Sequence, residues 1–330
     1  MKLQMKQKGN ILIFLILLFI LLLFNSHIGS PDSDYKNCSY KLFLFILVWS
    51  VLSLLFKRYN AICEWCFILI ITIWAGFEVY TGFMQIYGFS PSNNRYFILT
   101  GSFNNPGPYG GFLSTCVCVM VGWMFKVRND HRPFMLILFS LCAIVTITAL
   151  SLIVLSHSRA SLLSLCVCSL LFFFSSDKGR LFLRKHLVLI ILTGLVGSTI
   201  AFLAKRESAI GRLMTYKICV LAIRENGLKG AGLGHFSGAY VNTQKEYFSK
   251  YITQRDGVLN IDESIDFERQ HVGCPDYAFN DMLQIGVESG PVTMILYISI
   301  IVISFTKLYR ASSPFAYGLL SIAVFGFFSY

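Results

Sequence analysis

Charge is scarce in this chain. Only 14% of its 330 residues are Asp, Glu, Lys or Arg, while 55% are hydrophobic and the mean hydropathy is +0.64. A soluble domain carries roughly 25% charged residues, so the composition excludes an ordinary soluble enzyme and points to an integral membrane protein. Acids are scarcer than bases, 17 against 28, giving a net charge of +11. In a soluble protein that surplus would suggest nucleic acid; here the positive residues must first be sorted by membrane side. Walker A, HExxH and GxSxG motifs are all lacking, which removes the common phosphate-loop, zinc-protease and serine-hydrolase chemistries. The six histidines (His27, His131, His157, His186, His235 and His271) are scattered, so no metal site is expected. Most of the ten cysteines lie within apolar runs, where they act as small hydrophobes. Only Cys38, Cys274 and Cys219 fall elsewhere, and a Cys38–Cys274 bridge is left open. Heptads, low-complexity tracts and internal repeats are absent as well.

What the chain does have is apolar runs of membrane length. They fall near residues 11–27, 40–56, 62–83, 108–125, 133–155, 160–175, 186–204, 281–306 and 314–330. About 20 residues span a ~30 Å hydrocarbon core, so nine transmembrane helices are predicted. The first follows Lys2, Lys6 and Lys8 and lacks a small-residue cleavage site, so it reads as a retained helix. The last stops at Phe327-Phe-Ser-Tyr330 inside an apolar run, as a shortened version of a longer protein would. An N-terminus in the cytoplasm puts fourteen basic residues on that side, including Lys126, Arg128, Arg132, Arg180 and Arg184. The short outside loops then hold only Lys36, Lys41, Arg95 and Arg159. Every alternate loop agrees with the positive-inside rule. The expected organisation is a seven-span region (1–204), a large extracytoplasmic loop (205–279) and C-terminal helices (280–330).

The 205–279 stretch is where work is expected, because spans mainly hold such loops in place. It opens with Lys205, Arg206 and Arg212 and a helix-like segment, Ile210 to Glu225. A glycine-rich turn follows, Gly227-Leu-Lys-Gly-Ala-Gly-Leu-Gly-His-Phe236, and the stretch closes with Pro275-Asp-Tyr-Ala-Phe-Asn280. The glycines lack the strand and spacing of a dinucleotide fingerprint. Arg159 sits in a tight outside hairpin, Ser156-His-Ser-Arg-Ala-Ser161. It either snorkels to the headgroups or, with Arg206 and Arg212, offers guanidinium forks at one membrane depth, suited to a lipid-linked diphosphate. Leu99-Thr-Gly-Ser-Phe-Asn-Asn-Pro-Gly-Pro-Tyr marks another outside loop, in which Asn104 and Asn105 either hydrogen-bond a sugar or make a plain turn. Asn280 and Gln284, one helical turn apart, either orient an acceptor or serve as a helix cap and a satisfied polar residue.

In order along the chain stand Gly101-Ser-Phe-Asn-Asn-Pro, Ser158-Arg-Ala, Gly211-Arg-Leu-Met-Thr-Tyr, Gly230-Ala-Gly-Leu-Gly-His-Phe and Asn280-Asp-Met-Leu-Gln-Ile-Gly-Val-Glu-Ser-Gly290. Together with the topology, this series resembles the O-antigen ligase/O-antigen polymerase superfamily of bacterial inner-membrane glycosyltransferases, over about Thr81 to Gly290. The resemblance implies an all-helical membrane bundle with one large periplasmic loop. It implies transfer of a glycan from an undecaprenyl-diphosphate carrier to an acceptor glycan or lipid A-core hydroxyl, without cofactor, metal or nucleotide sugar. Membrane lipid is then a partner and nucleic acid is not. Ligases of this family carry His before the Asn; here that position is Phe279, which cannot accept a proton. The candidates for that role are His271 and Asp276, beside Asn280, with Asp281 and His235 in the same region. A transporter or flippase is the rival from another class; the spans hold chiefly Glu64, Glu78 and Glu288 as ionisable groups. A protein O-oligosaccharyltransferase would share the fold and differ in acceptor.

Overall fold

The structure is a computed structural model and describes residues 60–175, 206–255, 258–261 and 266–328, with isolated positions between 13 and 20 and between 177 and 192. It is helical apart from one short two-stranded ladder. The helices are α1 (Asn60–Ile86), α2 (Pro106–Val127), α3 (Pro133–Leu155), α4 (Arg159–Ser175), α5 (Arg206–Asn226), α6 (Phe236–Ser249), α7 (Asp266–His271), α8 (Asp281–Arg310) and α9 (Phe315–Phe328). Strands β1 (Ile252–Arg255) and β2 (Val258–Ile261) pair antiparallel between α6 and α7, with Ile252 opposite Ile261.

Six of the nine expected apolar segments lie in described helices. Four of these, α1 from Ile62, α2, α3 and α8, are long and apolar enough to cross a membrane. Helices α4 and α9 are apolar but have 17 and 14 residues, which at about 1.5 Å per residue falls short of a ~30 Å core. The segments at 11–27, 40–56 and 186–204, and Cys38, lie outside the described residues.

The chain divides into two compact units. One holds the described residues of 60–170 and 301–328, the other those of 171–300 and the isolated positions between 13 and 20, so the boundaries fall within α4 and within α8. In the first unit α2 is central: 61% of its apolar window is buried, against 28% for α1 and 33% for α3. Helices in lipid gain little from burying apolar surface against each other, so small residues that let backbones approach set the packing. Helix α2 places Gly110, Ser114, Cys118 and Gly122 at every fourth position, one stripe along its length. A Cβ on Gly110 would lie 2.7 Å from the Ser161 hydroxyl of α4, and one on Gly122 2.8 Å from the Tyr317 ring of α9. Gly111 admits the Phe325 ring, 2.6 Å from where its Cβ would be. Between these contacts the buried hydroxyls of Ser114, Ser164 and Ser321 bond one another at 3.1–3.5 Å. Around this seam pack Trp123, Tyr109, Leu113, Met120, Leu138 and Ile153, all fully buried or nearly so.

The second unit has its own small core: Ile218, Cys219 and Ala222 of α5, Phe236 and Tyr240 of α6, Ala278, and Val287 of α8. The expected helix-like segment from Ile210 to Glu225 is α5, four residues longer at its start and one at its end. It stops at Gly227, whose φ of 63° takes the left-handed conformation that ends many helices.

Candidate functional site around the start of α8

Helix α5 turns Arg212 and Tyr216, four residues apart, toward the chain entering α8. The Arg212 guanidinium stands 5.5 Å from the centre of the Phe279 ring, and the Tyr216 hydroxyl donates to the Phe279 carbonyl at 3.2 Å. Phe279 has φ 55°, a left-handed backbone uncommon for a bulky residue. Asn280 follows, buried, and its Oδ1 accepts from the N–H groups of Met282 at 2.9 Å and Leu283 at 3.1 Å. It is a helix N-cap in geometry. Asp281, exposed, takes the first turn.

Helix α8 then breaks. Gly290 has φ 84° and ψ 166°, and Pro291 begins the second segment, as Pro does at a helix start. Non-helical backbone inside a span needs internal partners, and the glycine-rich turn provides them. The Ala231 N–H donates to the Val287 carbonyl and the Gly232 N–H to the Glu288 carbonyl, each at 2.8 Å. The fit leaves no room for side chains. A Cβ on Gly230 (φ 72°) would lie 2.5 Å from the Glu288 carbonyl, and one on Gly290 would run into the Leu228 carbonyl oxygen. The Glu288 carboxylate, 8% exposed, faces the backbone N–H groups of Gly234 and Phe236, where α6 begins. A carboxylate suits the positive end of a helix. The Gln284 amide donates to the same carboxylate at 3.3 Å. Two segments singled out in the sequence, 230–236 and 280–290, therefore form one hydrogen-bonded structure.

The remaining expected residues are placed as follows. His271 ends α7, and its carbonyl lies 3.3 Å from where a Gly211 Cβ would be, so the backbone of His271 abuts the turn of α5 carrying Arg212. Asp276 is exposed, three residues ahead of Phe279. Arg206 is the first residue of α5. Arg159, Asn104 and Asn105 belong to the other unit. Arg159 opens α4 and is exposed; Asn105 caps α2 through the Gly107 N–H at 2.8 Å; the Asn104 carbonyl accepts from the Asn94 amide at 3.0 Å. Tyr216 and Glu288 stand in the motifs quoted from the sequence, Glu288 also as an ionisable group of the spans, but the sequence reading gave neither a role in the site. The spacing from Arg212 to Tyr216 and from Gln284 to Glu288, one helical turn each, was the available signal.

A polar clamp holds α7 onto α5. Lys217 Nζ bonds Glu268 Oε1 and the Tyr247 hydroxyl, and that hydroxyl donates to Glu268 Oε2, all at 2.7 Å. Burial works against the Glu268 charge, but the bonds from Lys217 and Tyr247 outweigh it and hold its carboxyl below the usual range. Burial likewise opposes the Lys217 charge, and its bonds to Glu268 and Tyr247 carry it above ordinary lysine. The Glu268 contribution is therefore complete above its unfolded value of about 4.3 and is lost as pH falls through the lowered folded value. The Lys217 contribution is complete below about 10.4 and is lost as pH rises through the raised one. Amide exchange of residues 266–271, corrected for intrinsic rates, should be flat across the neutral range and accelerate at both extremes. Lys217→Met should raise it at neutral pH; a rate equal to the parent would show that the clamp does not hold α7.

A cavity of about 550 Å³ lies elsewhere, beside Glu64, Trp65, Lys126, Asn129 and Arg132 in the first unit. Its charges are already paired, Lys126 with Glu64 at 2.7 Å and Arg132 with Asp130 at 2.5 Å, so it reads as structural. No protein-family model, no curated protein and no solved structure matches the chain.

Proposed function

We propose that the chain is a membrane glycosyltransferase of the O-antigen ligase or polymerase type, moving a glycan from undecaprenyl diphosphate to an acceptor hydroxyl. The observation that carries this reading is the pairing of Arg212 with the start of α8, beside a glycine-rich turn locked into the break of that same helix. A guanidinium near the positive end of a helix is a setting for phosphate oxygens. In this reading the topology is nine-span and N-in, and the 205–279 segment is extracytoplasmic. The guanidinium holds the diphosphate and stabilises its charge as the bond from the sugar anomeric carbon to phosphate oxygen breaks. The acceptor oxygen bonds that carbon from the opposite face, inverting it, and its proton passes to His271 or Asp276. Asn280 and Gln284, tied to the α8 backbone and to Glu288, frame the acceptor.

A broken span also favours a transporter, because transporters bind solutes at such breaks. Here the Val287 and Glu288 carbonyls at the break accept from the glycine-rich turn, which favours a structural joint over an ion site.

Two experiments test the proposal. Reporter fusions should place residues 126–132 and 178–185 in the cytoplasm and residue 245 outside; a cytoplasmic signal at 245 would overturn it. Phe279→His should keep or raise transfer, because His tolerates a positive φ better than Phe and brings a proton acceptor to this turn. His271→Ala or Asp276→Ala should lower transfer; full activity in the double variant would remove both as the base.

A further inference from the structure

The segment joining α1 to α2 turns its polar groups inward and its large apolar groups outward. Helix α1 closes with a Schellman motif: the Gly88 N–H (φ 77°) bonds the Gln85 carbonyl at 3.1 Å and the Phe89 N–H bonds that of Met84 at 2.9 Å. The buried Gln85 amide then pins the far end of the segment, accepting from Thr100 N–H at 2.9 Å and Gly101 N–H at 2.8 Å and donating to the Gly101 carbonyl at 2.9 Å. Buried Glu78 accepts from the Ser102 N–H at 3.0 Å and from its hydroxyl. Asn93 and Asn94 reach the carbonyls of Phe103 and Asn104. The segment is thus framed from within.

On its outer side Tyr87 is 70% exposed, Phe89 79%, Tyr96 74% and Ile98 74%. A Schellman motif ordinarily packs the side chain at the Phe89 position back onto the helix; here it points away. The segment from Tyr87 to Asn105 has no acid, and Arg95 is its one base, stacked 4.8 Å over the Tyr96 ring and 2.6 Å from the Tyr96 hydroxyl. Tyr87 follows directly on Ile86, the last residue of a 25-residue apolar span. At about 1.5 Å per residue such a span exceeds a ~30 Å core, so its end emerges at headgroup depth.

We infer that this segment is an interfacial anchor: Tyr87, Phe89, Tyr96 and Ile98 seat at the headgroup–acyl boundary of the leaflet where α1 ends, with Arg95 on lipid phosphates. Amphipathic aromatic rings and a phosphate-matching fork are what that depth favours. The inference rests on α1 crossing the membrane and is independent of the proposed catalysis.

The test adds one tryptophan to the full chain at Phe89→Trp or Tyr96→Trp, with Gly238→Trp, at an exposed position of α6, as reference. Each protein is reconstituted in phosphatidylcholine–phosphatidylglycerol vesicles, and the added emission is read as the difference from the parent. Bromine high on the acyl chain should quench positions 89 and 96 more than bromine low on it, and aqueous iodide should quench them at least about twofold less than position 238. Iodide quenching equal to position 238 without bromine quenching would put the segment in water and overturn the inference. Stronger quenching by deep bromine would overturn it too, as would protection from iodide that disappears on diluting protein into excess lipid, which marks contact between copies. Equal melting of parent and variants shows that the fold is unchanged.

Discussion

Gly290→Ala should unfold or open the unit that holds the start of α8, a large loss of stability for one added methyl group. The backbone at Gly290, φ 84° and ψ 166°, lies in a region open essentially to glycine, where other residues are strained by about 1–3 kcal/mol. Its new Cβ would also run into the Leu228 carbonyl oxygen and lie 3.3 Å from the Gly230 nitrogen. Both are backbone atoms that no side-chain rotation can move. Relief requires the turn to lift, which costs the Ala231–Val287 and Gly232–Glu288 bonds, about 0.5–1.5 kcal/mol each. Together these come to about 2–6 kcal/mol, reaching the lower end of the 5–15 kcal/mol of a whole domain. Thermal unfolding in detergent should show a large drop for Gly290→Ala. Gly238→Ala should match or slightly exceed the parent, because nothing lies within 4 Å of its Cβ and alanine suits a helix better. Equal melting of parent and Gly290→Ala would mean that the turn and the break are not locked together.

That lock shows where sequence reading stops. Apolar runs announce spans because lipid demands long unbroken hydrophobic stretches, and six described helices lie close to where those runs predict them. The same logic carried the 281–306 run straight through Gly290-Pro291, although Gly followed by Pro is the pattern of one helix ending and another starting. Which backbone would satisfy the freed carbonyls is a tertiary fact: the Val287 carbonyl finds its donor 56 residues upstream, at Ala231. Helix α6 was hidden differently. Phe236, Tyr240, Thr243 and Tyr247 repeat at helical spacing, but three are aromatic, one is β-branched, and the polar residues between them dilute the pattern. In the site, Arg212 was legible as a cation next to a helix start. Asn280 as a cap was one of its two sequence readings, and its cap geometry is now explicit. The left-handed backbone of Phe279 had no signal, because nothing about Phe asks for a positive φ.

Arg212 should matter more to chemistry than to folding. A charge-assisted hydrogen bond is worth about 1.5–3 kcal/mol, and each 1.4 kcal/mol lost in the transition state is about tenfold in rate. If Arg212 holds the proposed diphosphate, Arg212→Ala should therefore slow the proposed glycan transfer roughly ten- to a hundred-fold. Arg212→Lys keeps the charge but loses the fork and should restore only part of the rate. Arg159, exposed at the start of α4, gives the contrasting alternatives: a phosphate-binding role makes Arg159→Lys similarly slow, whereas a snorkelling role leaves it near the parent. Rates must be normalised to folded protein, since the Arg212 stack on Phe279 also helps seat the entry to α8.

The most direct measurement is binding of undecaprenyl diphosphate to the purified chain in nanodiscs, compared with undecaprenol, for the parent and Arg212→Lys. If the chain acts on a lipid-linked diphosphate, the diphosphate raises the melting temperature of the parent, undecaprenol has little effect, and Arg212→Lys loses most of the shift, each shift being taken from that protein's own ligand-free melting temperature. Equal responses to the two lipids, or a diphosphate shift that Arg212→Lys keeps in full, would contradict the assignment of Arg212 to the diphosphate and the function built on it.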